Sequence, residues 1–578
     1  MITLSECHKK NFGWDGNMQP EHWWQGAVIY QIYPRSYQDS TGNGIGDLPG
    51  IITRLDYIKS LGVDAIWISP FYASPMDDFG YDVSDYRQVD PIFGTNDDAD
   101  RLIAEAEKRG LGIVVDMVLS HTSDQHAWFQ ESASSRDNAK ADWYVWHDGK
   151  PDPGDTRLPP NNWRSVFGGS AWQWHDGRGQ FFLHNFVVSQ PDLNLHNPHV
   201  QDALLGEVEY WLKKGVKGLR LDAINFAFHH LSYADCPLKP GTDGENYHDL
   251  IHLYDKSQPE TLDFLRRLRA LTNRYPGSFM VGEVYDDRGM ELAKSYSADD
   301  TLLQTAYHFA LFDKPQTAAS LQTIFKTYDE LPGDAWPSWP LSNHDVSRAV
   351  SRWAIDAHRY DPNPARAKQL NALLALLPGT VILYQGEELG LPDAPIPDDR
   401  IVDPAVARGS GVEGRDPCRA PMPWGVTPPL AGFSTAQDAW LPMPATYPSL
   451  SVDAQEADSL STLNVTRALI AWRKLNRDLT ALPLRFFDAL PEPLFAFQRD
   501  DGQGRQLTAL FNLAETDISL VIDDPRLLEA LGHQAKEAAQ ITMPAYGVKV
   551  ITHGFTTFPS WGAATDGWQW INATEVLV

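Results

Sequence analysis

The segment Gly218 to Asn225, GLRLDAIN, decides how the rest of the chain is read. Its short apolar run holds Arg220 and Asp222 at the alternate-residue spacing that turns both side chains to one face of a strand. An arginine and an aspartate facing inward together are costly to bury unless they pair with each other or serve chemistry. On this segment alone, a buried ion pair and a catalytic pair both stand.

Working outward, similar apolar runs occur at Val28 to Tyr33, Ala65 to Ser69, Gly112 to Val118, Ser278 to Glu283, Leu303 to His308, Ser338 to Ser342 and Thr380 to Tyr384. Helix-period segments lie between most of them: Ile51 to Leu61, Asp97 to Arg109, Val200 to Lys214, Thr261 to Tyr275 and Ala365 to Leu377. Strands alternating with helices imply parallel pairing through right-handed crossovers, and eight such strands match a closed (β/α)8 TIM barrel. The long connection after the third strand, rich in Trp, Asn, Gly and Pro, is too large for a loop and reads as an inserted domain at 123–190. The barrel then occupies 1–122 and 191–480. Beyond it, alternating segments at Leu494 to Gln498, Leu507 to Asn512, Ile518 to Ile522 and Tyr546 to Ile551 predict a C-terminal antiparallel β-sandwich domain over 481–578. Its aromatic tail from about 553 carries no assignment.

Composition narrows the partners. A net charge of -28 argues against nucleic acid and anionic membrane, both of which need clustered Lys and Arg. The opening MITLSECHKKNFGWDG has no signal-like apolar core and no later run could span a bilayer, so the protein is expected to be cytoplasmic. Cys7, Cys236 and Cys418 lack disulfide or zinc spacing. The 20 Trp residues lend weak support to sugar binding, since aromatic faces suit sugar C–H faces but most Trp is core. Oligomeric state is not legible.

Several strands run into ionisable groups: the third into Asp116 and His121, with Arg220 and Asp222 on the fourth, Glu283 on the fifth, and Asn343, His344 and Asp345 at the end of the seventh. The C-terminal ends of barrel strands open on one face, so these groups are expected to meet in one pocket. No dinucleotide fingerprint, P-loop or HExxH accompanies them. Paired carboxylates suit glycoside hydrolysis, with a third available to stabilise positive charge in the transition state. A divalent-metal site is the competing reading, to which the convergent Arg220 objects. Separately, DSTGNGIGD offers side-chain oxygens from Asp39, Thr41, Asn43 and Asp47 and the carbonyl of Ile45. It reads either as a loop for a structural Ca2+ or Mg2+ or as an Asx-rich turn without metal.

The ordered motifs DMVLSH, QPDLN, GLRLDAIN, GEVY and SNHD resemble the signature regions of the α-amylase family, glycoside hydrolase family 13. The opening WWQGAVIYQIYPRSYQDSTGNGIGDLPGI, with FGYDVSDYRQVDP, YQGEELGLP and GRDPCRAPMPW, resembles its bacterial α-glucosidase and oligo-1,6-glucosidase branch. The resemblance implies Asp222 as nucleophile, Glu283 as general acid/base and Asp345 as transition-state stabiliser, with Arg220 holding Asp222 ionised. It implies no cofactor for chemistry and a small oligosaccharide or disaccharide substrate. His121 and His344 would bind hydroxyls of the first glucose, and Tyr81 would stack on that ring. Asp78 with Arg415, or Arg419 in second place, would close the pocket behind the non-reducing end. Phe167 and Phe186 would wall the entrance or serve as core packing. The family's metal loop maps onto Asp39, Thr41, Asn43, Ile45 and Asp47.

The activity so implied is a retaining exo-α-glucosidase, with α-1,4 bonds in maltose-like substrates favoured and sucrose or α-1,6 bonds open. Ala223 stands where α-1,4-selective relatives carry Thr and α-1,6-selective ones Val, so linkage is not legible there. A glucosyltransferase or sucrose isomerase of the same family is the alternative. Against the isomerase, RIVD at Arg400 to Asp403 replaces an RLDRF clamp. A non-catalytic family member fits poorly with the presence of all three acids.

Overall fold

The computed structural model describes residues 22–151, 157–312, 316–354, 358–407, 414–428, 430–488, 490–533, 538–555 and 568–572. Cys7, the N-terminal segment read for a signal, and most of the tail lie outside the described residues. Eight strands form the barrel: β1 Val28–Ile32, β2 Ala65–Ile68, β3 Gly112–Val118, β4 Gly218–Asp222, β5 Phe279–Val284, β6 Thr305–His308, β7 Ser338–Pro340 and β8 Thr380–Tyr384. Pairing is parallel throughout, in the order β6-β5-β4-β3-β2-β1-β8-β7. The ring closes between β6 and β7 through a parallel bridge from Ala306 to Pro337 and a 2.7 Å bond from Thr305 Oγ1 to the Trp336 carbonyl. Every residue of these strands is buried, as strands covered on both faces require.

The helices follow local signals. Helix Asn96–Lys108 starts at a Thr95 capping box closed by Asp98 and buries Ala99, Leu102, Ile103 and Ala106, one stripe at helical spacing. Helix Pro198–Lys214 starts on Asn197 with Pro at its first turn and stops at Gly215, whose φ of 97° ends it in the left-handed region. The helix expected over Ile51 to Leu61 is instead two, Leu48–Thr53 and Leu55–Ser60. At the break, Arg54 bonds Gln38 Oε1 at 2.7 Å and lies 4.1 Å from the Trp424 ring centre. The seventh strand ends earlier than expected, at Pro340, so Asn343 to Asp345 stand in the following turn.

The insertion after β3 carries a three-stranded antiparallel sheet of Trp146–His147, Gln180–Leu183 and Trp172–His175. The C-terminal part packs a five-stranded sheet against the antiparallel strand pair Ile518–Ile522 and Ala539–Met543 through Leu494, Leu510, Ile541 and Met543. The five-stranded sheet departs from the antiparallel expectation at one edge. There Trp568–Asn572, in the tail that had no assignment, runs parallel to Val548–His553.

Candidate active site

Parallel register builds the centre of the site. Arg220 on β4 stands beside Asp116 on β3, and Glu283 on β5 stands beside Tyr307 on β6. Arg220 is fully buried, and its Nη1 reaches Asp116 Oδ1 at 2.8 Å and Asp222 Oδ1 at 2.6 Å, while Nη2 reaches Glu283 Oε1 at 2.7 Å. The Tyr307 hydroxyl donates to Glu283 Oε1 at 2.9 Å and accepts from Arg220 Nη2 at 3.1 Å. Asp116 also accepts from Trp67 Nε1 and the Tyr81 hydroxyl, each at 3.0 Å. Arg220 thus pairs with Asp222, and the same guanidinium holds two further acids.

One cation facing three carboxylates leaves the cluster short of positive charge, and its proton affinity rises accordingly. Burial pushes Asp222 up to about 7 against the downward pull of Arg220, with Asp116 and Asp345 adding to the rise. The expected depression of Asp222 by Arg220 is thus present but outweighed. Burial likewise pushes Glu283 up to about 7, the direction expected of a general acid, and Asp116 up to about 6, with Arg220 again opposing. Three interacting acids titrate as a unit, so near neutral pH they share protons.

Asp345 is the opposite case. Burial raises its proton affinity, yet the polar contact with His344 and the charges of Arg419 and Arg415 hold it well below the usual carboxylate range. Arg419 Nη2 lies 3.0 Å and Arg415 Nη1 3.3 Å from Asp345 Oδ1. Burial keeps His344 itself neutral, so its 3.2 Å contact with Asp345 is a polar contact and the two arginines supply the charge. Arg415 Nη2 also binds Asp78 at 2.8 Å and Asp403 at 2.8 Å. The choice left open between Arg415 and Arg419 resolves by geometry: Arg415 pairs with Asp78, while Arg419 donates to the His344 carbonyl and to Asp345.

The remaining expected residues pack around the same cluster. His121, lowered to about 4 by burial, contacts Ser120 Oγ at 3.0 Å and the Tyr81 carbonyl at 3.2 Å. Tyr81 stacks one face on His344, centroids 5.1 Å apart and planes 9° from parallel. From the insertion, Phe186 packs 5.1 Å from the His121 ring, and Phe167 lies beneath the Arg415 guanidinium at 4.9 Å. Ala223 takes a φ of 37°, and its N–H donates to Glu283 Oε2 at 3.1 Å, tying the turn after Asp222 to Glu283.

The Asp39–Asp47 loop folds as a turn closed by its own hydrogen bonds. Asp39 accepts from the N–H groups of Thr41, Gly42 and Gly44 at 2.7 to 2.8 Å and from Ser434 Oγ at 2.5 Å. Asn43 Oδ1 accepts from Ile45 N at 2.8 Å, and Asp47 accepts from Ser40 and from Gly50 N at 2.6 Å, capping helix Leu48–Thr53. Among the described residues no group of three or more His, Cys, Asp or Glu forms a metal cluster. Its two acids, Asp39 and Asp47, thus close the turn and cap the helix that follows, and their remaining lone pairs, with the oxygens of Thr41 and Asn43 and the Ile45 carbonyl, are the donor set that would hold a divalent ion.

Sequence reading singled out Asp116 without giving it a role, and missed Tyr307, Trp67 and Asp403. Asp116 and Tyr307 were accessible through register once β3 to β6 were aligned. Asp403 gave no signal, because its place is set by a loop.

The arrangement is that of a carbohydrate-active TIM barrel, and its family follows from comparison. The model "Alpha amylase, catalytic domain" matches residues 31–481, and the chain belongs to this α-amylase family. It is 46% identical to a probable alpha-glucosidase of Rhizobium meliloti over 92% of this chain and 97% of that protein. An oligo-1,6-glucosidase of Heyndrickxia coagulans is 38% identical over 76% and 83%. Among solved structures, an alpha-glucosyl transfer enzyme, XgtA, superposes with a TM-score of 0.84 at 44% identity, covering 92% of this chain and 99% of that one. The protein is a glycoside hydrolase of the α-glucosidase type.

Proposed function

We propose that the protein is a retaining exo-α-glucosidase that releases glucose from the non-reducing end of short α-glucosides through a covalent glucosyl-enzyme. The observation that carries this reading is the grip of one guanidinium on both Asp222 and Glu283, while Asp345 alone is kept ionised by two arginines. Two acids held at the two ends of one side chain suit the carboxyl separation of about 5 to 5.5 Å used by retaining enzymes. In the first step ionised Asp222 attacks the anomeric carbon and Glu283 donates its proton to the leaving oxygen. In the second, Glu283 takes a proton from water as its oxygen attacks the same carbon and the bond to Asp222 breaks. Asp345, charged throughout, stabilises the oxocarbenium-like transition states.

Asp78 paired with Arg415 would end the pocket after one glucose, with His121, His344 and Tyr81 around that ring and Phe167 and Phe186 at its entrance. Maltose-like α-1,4 substrates are favoured. Ala223 leaves space beside the leaving group, and one or two missing methyls shift discrimination by only about 1 to 3 kcal/mol. A second reading, transfer of the glucosyl group to a sugar, gains support from the likeness to an alpha-glucosyl transfer enzyme. The Asp39–Asp47 turn is assigned a structural role, and no chemical step passes through an ion there. Asp222→Ala should abolish glucose release from maltose with the circular dichroism spectrum unchanged, and continued turnover would remove Asp222 from its role. Products from maltose, isomaltose, sucrose, trehalose and maltotriose then define linkage and the share of transfer.

A further inference from the structure

Tyr307 on β6 stands beside Glu283 on β5 in the parallel register, and its side chain is fully buried inside the barrel. Its hydroxyl oxygen lies along one edge of the Arg220 guanidinium, accepting from Nε at 3.3 Å and from Nη2 at 3.1 Å. A guanidinium only donates, and a phenol has a single proton to give. With the oxygen turned to the cation, that proton points away from it, and Glu283 Oε1 stands there at 2.9 Å. Burial pushes the phenol well above its ordinary proton affinity, so the hydroxyl keeps its proton near neutral pH.

The two oxygens of Glu283 are therefore not equivalent. Oε1 lies 2.7 Å from Arg220 Nη2 and accepts the Tyr307 hydroxyl at 2.9 Å. Among the described residues, Oε2 accepts the Ala223 N–H alone, at 3.1 Å. A carboxylic acid carries its proton on one oxygen and keeps the other as acceptor. A proton on Oε1 would face a positive nitrogen and an incoming hydroxyl proton together. On Oε2 it meets one neutral donor at the longest of the three distances.

Packing alone does not account for the hydroxyl. The ring of Tyr307 lies 6.4 Å from that of Trp67 within an apolar cluster of the barrel, and a phenylalanine would fill the same space. A buried hydroxyl is costly unless its bonds are made, and these bonds go to the arginine and to one acid. The charged groups that face Glu283 are Arg220 and Asp222 on β4, Asp116 on β3 and Asp345 after β7. Removing the Tyr307 hydroxyl leaves every one of these charges in place and withdraws one neutral donor from Oε1.

We propose that Tyr307 is a positioning residue for the general acid: its hydroxyl keeps Oε1 of Glu283 as acceptor and so confines the proton given to the leaving oxygen to Oε2. The proposal rests on the assignment of Glu283 as that acid. In the first step the bond from Oε2 to its proton breaks and the proton joins the glycosidic oxygen. The bond from that oxygen to the anomeric carbon breaks as an electron pair of Asp222 forms the new carbon–oxygen bond. The Tyr307 proton stays on Tyr307, and its bond to Oε1 strengthens as Glu283 becomes charged.

The test uses Tyr307→Phe in the full-length protein, with kcat/KM followed across pH for maltose and for p-nitrophenyl α-glucoside. The sugar oxygen leaving from maltose needs a proton, whereas nitrophenolate leaves with little help. The value for maltose should fall about ten-fold or more and that for p-nitrophenyl α-glucoside by less than about three-fold, because acid catalysis weighs on the poorer leaving group. Loss of a donor to the charged form raises the proton affinity of Glu283, so the basic limb should move up by about half a pH unit or more. An unmoved basic limb, or equal loss on the two substrates, overturns the proposal. 3-Fluorotyrosine in place of Tyr307 has nearly the same shape and a more acidic hydroxyl, and should move the basic limb down. If Tyr307→Phe fails to fold, as read by circular dichroism, this second protein decides alone: a lowered limb sustains the proposal, and an unmoved or raised limb overturns it. Glu283→Gln separates the two levels of the argument. If that variant cleaves maltose at the parental rate, the assignment of the acid fails, and the proposal with it.

Discussion

Replacing Arg220 by Lys perturbs the hub while keeping one positive charge. The guanidinium makes contacts of 2.6 to 2.8 Å to Asp116, Asp222 and Glu283 and bonds Tyr307 as well. A lysine ammonium is a point donor without the planar fork, so at least one of the three ionic contacts is lost. A hydrogen bond to a charged group contributes about 1.5 to 3 kcal/mol. At about 1.36 kcal/mol per decade this predicts a fall in kcat/KM of roughly 10- to 150-fold for p-nitrophenyl α-glucoside. The pH profile must move too. Arg220 pulls both Asp222 and Glu283 down. Weakening it raises both, so the acid limb, which needs ionised Asp222, and the basic limb, which needs protonated Glu283, both shift to higher pH. A loss under three-fold with an unmoved profile would refute the role given to Arg220.

Glu283→Gln tests the raised proton affinity through stability. Because the folded pKa of about 7 lies above the ordinary 4.5, the native state holds the extra proton between these values, and native stability from this group falls as pH rises through 7. Gln removes the buried charge, so the variant's melting temperature relative to the parent should increase from pH 5 to pH 8, by an amount reflecting about 2 to 3 kcal/mol. Equal differences at both pH values contradict it. Asp403→Asn removes the charge that fixes Arg415, and KM for maltose should rise roughly ten-fold with kcat within about three-fold, in line with the loss of one charge-assisted bond. Hydrogen bonds already close the Asp39–Asp47 turn, so adding Ca2+ or EDTA should move the melting temperature by less than about 2 °C, well under the effect of a bound structural ion of a few kcal/mol. A larger calcium-dependent rise would place an ion on the Asp39–Asp47 loop.

The barrel was legible because its strands are short, mostly apolar runs and its helices carry explicit caps, as at Thr95 and Asn197. The site was legible wherever its residues sit at strand ends, since topology gathers those ends on one face. What escaped has a common cause. The proton affinity of Asp222 depends on how many acids share one arginine, and that number appears only when the strands are placed side by side. Asp403 owes its place to loop packing, which no periodicity announces. The parallel edge strand Trp568–Asn572 is likewise a matter of docking rather than of local pattern.

If Asp222 attacks the sugar and Glu283 acts twice, two inversions restore the configuration of the glucose. Proton NMR of the glucose released in the first minutes of p-nitrophenyl α-glucoside cleavage, read at the anomeric doublet before mutarotation, tests this directly. The α-anomer is predicted, and first appearance of the β-anomer would contradict the mechanism.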